Sequence, residues 1–271
     1  MAIIWSGGNW IDESEGFIAM TDRGVLHGLG VFETMLSING ELQHSQRHLR
    51  RLRDGVTRLG LRHDFDTVDV PALAREICGK NGLLSGRARL RLTVTAGEGG
   101  LYDSHPGSRP VVWLTAQAIV HEPMNLAVMT LPFARNERSA LSGLKTTSYA
   151  ENLLGLRWAR ERGAEEGIFF NHRHHLCEAC TANVFVKIDG KWLTPSLDSG
   201  CLPGVMREIV LEKFSHIKEA DIRQEDFLRT EEMFVTSAIR GILPVRSCDG
   251  KALQVASIPS FENLTSDISA S

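Results

Sequence analysis

The chain has 271 residues, 42% of them hydrophobic, and 30 Lys and Arg against 33 Asp and Glu leave a formal net charge of −3. That length suits one large domain or two packed α/β domains; no excess of positive charge points to nucleic acid, and apolar runs such as 110–116 are too short to span a bilayer. The amino terminus lacks the basic and long apolar segments of a secretory signal, and five cysteines, an odd number, fit reduced thiols in a cytoplasmic protein better than a disulfide framework.

Residues 1–11 read as a short strand pair about Gly7-Gly8. A strand over 31–38 meets Asn39-Gly40, a strong two-residue turn signal, and returns through 41–43. Leu49, Leu52, Val56 and Leu59 recur at helical spacing and predict a helix over 45–59, ended by Gly60. A second helix is expected over 67–80, with Asn81-Gly82 as its stop. Residues 87–96 alternate as a strand, with Leu90, Leu92 and Val94 on one face and Arg89, Arg91 and Thr93 on the other. A strand over 111–116 precedes the proline-containing link 117–124, where a domain boundary fits. Beyond it come a strand at 126–131, an amphipathic helix at 149–161, strands at 167–170 and 182–188, and a hairpin turn at Asp189-Gly190. Pro203-Gly204 opens a helix to about Phe214, 232–237 and 243–247 are the last strands, and the serine-rich tail 258–271 reads as loosely ordered. Mixed strands, helices and hairpins give two α/β (α+β) domains, 1–116 and 125–271.

Lys145 lies between a polar loop and the helix at 149–161. A lysine at such a junction, held still and partly out of water, is what Schiff-base chemistry needs, because its amine must be nucleophilic near neutral pH. A rival signal is His172-Arg-His-His-Leu-Cys-Glu-Ala-Cys180, which could be read as a zinc site in a binding module. No second cysteine or histidine pair follows at finger spacing, and on a strand Cys177 and Cys180 point to opposite faces.

Four groups of segments together resemble pyridoxal-phosphate enzymes of fold type IV, the class IV aminotransferases and their relatives. They are Asp22-Arg-Gly…Gly-Leu-Gly-Val-Phe-Glu-Thr34, His48-Leu-Arg-Arg-Leu52 and Leu144-Lys145 with the following helix. The carboxyl-terminal half adds Glu178-Ala-Cys-Thr-Ala-Asn-Val-Phe185, Leu202-Pro-Gly-Val-Met-Arg207 and Phe234-Val-Thr-Ser-Ala-Ile239. The resemblance covers nearly the whole chain in the right order. It implies a two-domain, D-amino-acid aminotransferase-like fold in which 125–271 carries most of the cofactor site, and a homodimer with the site near its interface. It makes Lys145 the residue that carries pyridoxal 5'-phosphate and later moves the substrate proton. Glu178 faces the pyridine nitrogen and keeps it protonated, so that the ring can accept electrons. Arg51 grips the phosphate, joined by the backbone N–H groups of Val205 and Met206 at a helix start and by Ser237 and Ala238. Tyr149 matches a tyrosine that contacts the ring hydroxyl in some relatives.

Within the family, D-amino-acid aminotransferases clamp the substrate carboxylate with an arginine and a histidine in the loop after the 87–96 strand, and use a tyrosine hydroxyl where this chain has Phe32. Here that loop reads Gly97-Glu-Gly-Gly-Leu-Tyr-Asp-Ser-His105, without arginine. Branched-chain aminotransferases carry a glycine-threonine pair where this chain has Ser237-Ala238. The Glu-x-Cys-x-Ala-Asn, Gly-Val-Met-Arg and Ser-Ala-Ile-Arg-Gly-Ile-Leu-Pro-Val segments are similar to those of aminodeoxychorismate lyases. An arginine often present in the lyases' glycine-rich loop is Leu101 here, leaving Arg109 or Arg240 to meet substrate carboxylates. Thr34 matches a threonine that is a proton-donor candidate in some lyases.

Overall fold

The computed structural model describes residues 1–61, 68–102, 110–120 and 124–256. The chain divides into two units, Met1–His121 with Leu144–Tyr149, and Glu122–Gly143 with Ala150–Ser271. The sequence places everything beyond 125 in the second domain; Leu144–Tyr149, Lys145 included, belongs with the first unit instead, because it hydrogen-bonds to the edge of a first-unit strand.

The first unit is built on strands β1 (Ile3–Ser6), β2 (Asn9–Asp12), β3 (Gly30–Ile38), β4 (Glu41–Leu42), β5 (Arg87–Thr95) and β6 (Val111–Ala118). They form an antiparallel six-stranded sheet of order β2-β1-β6-β5-β3-β4. Asn39 and Gly40 turn β3 into β4 with φ of 51° and 83°, the backbone that makes Asn-Gly the favoured hairpin pair. The expected alternation of β5 is present: Leu90, Leu92 and Val94 are at most 1% exposed. Helices α1 (Arg23–His27), α2 (Ser45–Arg58) and α3 (Val70–Lys80) complete the unit. α2 buries His48, Leu52, Gly55 and Val56, whereas Leu49 and Leu59 of the predicted stripe are only partly buried. The face is rotated because His48, which an apolar periodicity ignores, points inward to a carboxylate partner. The described part of α3 starts at Val70, where the Asp69 side chain accepts a hydrogen bond from Ala72 N–H; residue 67 lies outside the described residues. β6 runs on through Gln117 and Ala118, so the strand takes in the start of the expected link, and 121–123 lie outside the described residues.

The second unit contains β7 (Leu126–Thr130), α4 (Ala150–Arg160), β8 (Glu166–Phe170), β9 (Leu176–Ala179), β10 (Asn183–Ile188), β11 (Lys191–Pro195) and α5 (Val205–Lys213). It continues with β12 (Lys218–Ala220), α6 (Gln224–Phe227), β13 (Glu232–Ser237), β14 (Gly241–Cys248) and β15 (Lys251–Ala252). Its mixed sheet has the order β12-β11-β10-β13-β14-β7-β8-β9, with β7 parallel to both neighbours and β15 paired to β14. All five cysteines are buried thiols. Cys177 and Cys180 share one apolar cluster with Cys201, Leu131 and Phe169, against the expectation of opposite faces. β9 ends at Ala179, so strand alternation no longer governs Cys180. No described helix is long and apolar enough to cross a membrane.

Candidate active site

The lysine segment is registered on β3. Phe32 N–H donates to the Lys145 carbonyl and Thr147 N–H to the Gly30 carbonyl, each at 2.9 Å, while Val31 and Thr146 form an antiparallel bridge. The hydroxyls of Thr147 and Ser148 both donate to the Gly28 carbonyl, at 2.9 and 3.1 Å. This contact accounts for the glycines of the amino-terminal signature. Gly28 has φ of 64°, and a Cβ there would lie 2.2 Å from Ser148 Oγ; one at Gly30 would lie 2.7 Å from the Val94 carbonyl oxygen. Asp22 accepts from Gly24 N–H at 2.6 Å and from the Thr95 hydroxyl at 2.7 Å, fixing the chain just ahead.

Lys145 is half-buried, and its Nζ lies 4.5 Å from the ring centre of Phe32 and 5.6 Å from that of Tyr149. The two rings meet edge to face at 5.4 Å. The guanidinium of Arg91 stacks 3.6 Å over the Phe32 ring. Burial lowers the Arg91 pKa, with Tyr149 opposing that shift. Thr34 is paired with Arg91 in the β3–β5 register and shares the Phe32 face. In the sequence Arg91 is one of several arginines on a polar strand face. Its strand parity, opposite to that of the core leucines, was the available signal.

On the other face of β3, Glu33 is fully buried. Arg51 Nε and Nη2 donate to its two carboxylate oxygens, both at 2.7 Å, and His48 Nδ1 lies 2.7 Å from Oε2. Burial alone would raise the Glu33 carboxyl, but the Arg51 charge and the hydrogen bonds from His48 and Arg51 outweigh it and bring the pKa down to about 2. Glu33 therefore stays ionised, and His48 Nδ1 carries the proton it donates. The sequence named Arg51 but gave no role to Glu33 or to His48.

In the second unit, Glu178 lies on β9 and accepts a hydrogen bond from Leu202 N–H at 2.9 Å. Arg135 Nη2 approaches its other oxygen at 3.4 Å; the same guanidinium covers the Phe169 ring at 4.0 Å and pairs with Glu151. Val205 and Met206 are buried in the first turn of α5, which no side chain caps. Their N–H groups, by helix geometry, have no carbonyl within the helix to bond. Asn183 donates from its amide to the Leu202 carbonyl at 2.8 Å, and its Oδ1 is only 1.9 Å from where a Cβ on Gly204 would stand. Ser237 Oγ accepts from the backbone N–H of Arg240 at 3.2 Å. Arg240 Nη2 donates to Thr181 at 2.6 Å and to the buried Glu166 at 3.1 Å, which fixes the turn containing Ser237 and Ala238. Arg109 lies outside the described residues. Among the described residues no three His, Cys, Asp or Glu side chains converge as a metal site, and burial pushes the Cys180 thiol up to about 12.

Comparison with known proteins yields one family. The model of the family described as amino-transferase class IV matches residues 30–248. The aminodeoxychorismate lyase of Bacillus subtilis (strain 168) is 26% identical over 251 residues, 89% of this chain and 85% of that protein. The solved branched-chain aminotransferase of Thermoproteus uzoniensis, with norvaline, superposes with a TM-score of 0.87 at 22% identity, covering 97% of this chain and 92% of the other. An aminotransferase of Brucella abortus, bound to the cofactor PLP, gives 0.84 at 24% identity, with 97% of each chain covered. At these identities the two structures speak for the fold alone. The family match extends from β3, whose edge holds the lysine segment, to the end of β14, and so the chain belongs to the class IV aminotransferase family.

Proposed function

We propose that the protein is a pyridoxal-phosphate-dependent lyase that converts 4-amino-4-deoxychorismate into 4-aminobenzoate and pyruvate, a step of folate synthesis. As a class IV enzyme it uses pyridoxal 5'-phosphate, and its residues fit that group. Lys145 is half-buried with its amine over two aromatic rings, the Glu178 carboxylate is anchored by Leu202 N–H, and Gly204 ahead of α5 leaves no room for a Cβ. The carrying observation for the lyase is the wall beside Lys145. It is a phenylalanine ring with no hydroxyl, faced by Arg91, suited to a six-membered ring that bears a carboxylate. The lyase among its relatives supports the same reading.

In this reading Lys145 carries the cofactor through its amine. The phosphate is held by Arg51, by the N–H groups of Val205 and Met206, and by Ser237 and Ala238. Tyr149 would contact the ring hydroxyl. Bound there, the cofactor supplies an electron sink for the pair released at the substrate carbon that bears the amine. Glu178 would face the pyridine nitrogen and keep it protonated, with the Arg135 guanidinium 3.4 Å from that carboxylate. Lys145, its amine freed once the substrate amine has taken its place, takes the proton from the amine-bearing carbon. The neighbouring C–O bond breaks, and the departing enolpyruvate takes a proton, for which Thr34 is the donor, to become pyruvate. The ring is left aromatic, and positioned proton transfer of this kind contributes about 10²–10⁴ in rate. Arg91 meets the ring carboxylate. Arg240, engaged with Glu166 and Thr181, holds the Ser237 turn, and Arg109 is a second candidate for a carboxylate.

An aminotransferase of the same fold is the second reading, because it would use the same lysine and glutamate and because the family is that of the class IV aminotransferases. The two differ in stoichiometry. A lyase turns over 4-amino-4-deoxychorismate many times with no keto acid present, releasing pyruvate and 4-aminobenzoate in equal amounts. Failure there, with sustained transamination of an amino acid and 2-oxoglutarate, would establish the second reading instead. The exposed Phe17, Met20, Val25 and Leu26 of the first unit favour assembly as a homodimer, which sedimentation at micromolar concentration would test.

A further inference from the structure

We infer that Glu33 is a positioning residue for phosphate binding: it takes one edge of the Arg51 guanidinium so that the other edge is presented to the cofactor phosphate, with His48 holding Glu33 in place. The inference rests on the assignment of Arg51 to the phosphate. A guanidinium is planar and has two usable edges, one formed by Nε and Nη2 and one by the two terminal nitrogens. Glu33 occupies the first edge with two contacts of 2.7 Å. A phosphate gripped by Arg51 must therefore use the second edge, and the plane of that edge is set by the carboxylate behind it.

A carboxylate in the middle of a strand, fully buried and flanked by Val31, Phe32 and Met35, is costly unless paired. His48 and Arg51 stand one helical turn apart on α2, so one buried carboxylate engages both. Arg51 keeps 13% of its side chain exposed, whereas Glu33 has 1%. Of the two, the carboxylate is therefore the more deeply buried and the cation the less. An arginine side chain has large rotamer freedom, and fixing it before the ligand arrives removes that entropy from the binding step.

Net charge and positioning predict opposite signs. If charge alone governed phosphate affinity, removing the Glu33 negative charge would tighten binding. If positioning governs, removal weakens it. The test measures binding of pyridoxal phosphate, of pyridoxal without its phosphate, and of inorganic phosphate to the apo-protein. Glu33→Gln should weaken pyridoxal phosphate and inorganic phosphate on the order of tenfold or more, while pyridoxal affinity stays within about twofold. Equal loss for all three ligands would mark Glu33 as merely structural and overturn the inference, as would tighter phosphate binding. Arg51→Ala separates the two layers. If it leaves phosphate affinity intact, the phosphate assignment itself is wrong; if it weakens phosphate while Glu33→Gln does not, only the positioning role is wrong. Should Glu33→Gln fail to fold, His48→Asn, which keeps a donor near the Nδ1 position, should preserve phosphate affinity and His48→Leu should weaken it. Identical affinities in those two would also overturn the inference.

Discussion

The two features proposed to hold the cofactor phosphate are built on different principles. In the first unit the feature is a side chain: the Arg51 charge, aimed by a buried carboxylate. In the second it is backbone: the start of α5, preceded by a glycine pressed against Asn183. A side-chain grip is strong but must be aimed, and in the proposed arrangement Glu33 and His48 do the aiming, which makes it sensitive to pH. A helix start is already aimed by its hydrogen bonds, so it needs only that nothing occupy the space in front of it, and it is sensitive to shape.

The largest expected effect separates grip from chemistry. Glu178→Gln should retain cofactor and lower kcat by about 10²-fold or more, since a neutral amide withdraws fewer electrons through the ring nitrogen. Arg51→Ala should do the reverse, weakening cofactor affinity with a smaller change in kcat at saturation. Matching behaviour in the two variants would abolish the distinction. Acid comes next. Glu33 is ionised in the folded protein down to about pH 2 but takes up a proton near 4.5 once unfolded. Its contribution is complete above pH 4.5 and is lost as pH falls toward 2, a window worth on the order of 3 kcal/mol for this fully buried group. Unfolding free energy of the wild type followed from pH 6 downward should show that loss, and Glu33→Gln should flatten it.

Shape is tested by Gly204→Ala. Its added Cβ collides with Asn183 Oδ1, and the displaced helix start should cost about 2 kcal/mol of stability and lower the amount of cofactor retained, read by melting temperature and visible absorbance. Unaltered absorbance would mean that α5 plays no part in the grip. The smallest effect belongs to the lysine clamp. Thr147→Val removes one hydrogen bond to the Gly28 carbonyl and should lower stability by roughly 1 kcal/mol, with a small fall in kcat from a less firmly held Lys145. The Ser148 hydroxyl shares that carbonyl, so the double variant should lose more than either single one.

What the sequence made legible was whatever depends on neighbours along the chain. The Asn39-Gly40 turn, the α2 periodicity and the β5 alternation are local, and residues a few places apart declare them. Glu33 and His48 declared nothing, because a charged residue in a strand and a histidine in a helix ordinarily face water, and their burial is intelligible only when each has the other. β9, β12 and α6 are too short to establish a period. The placement of Lys145 in the first unit depends on contacts spanning 119 positions, from Thr147 to Gly28. The family motifs could name the lysine without revealing which sheet it joins. Arg91 was hidden for a different reason: the alternation that exposed the core leucines also classed it with Arg89, which does face solvent.

Phe32 and Glu33 are consecutive, and strand geometry sends them to opposite faces of β3, one toward Lys145 and the other toward Arg51. The two tasks are therefore locked in phase by a single peptide bond. A slip of β3 by one residue would exchange them, putting a carboxylate beside the lysine amine and a phenyl ring beneath the arginine. Adaptation along this strand can thus proceed by replacing side chains, but not by inserting or deleting a residue.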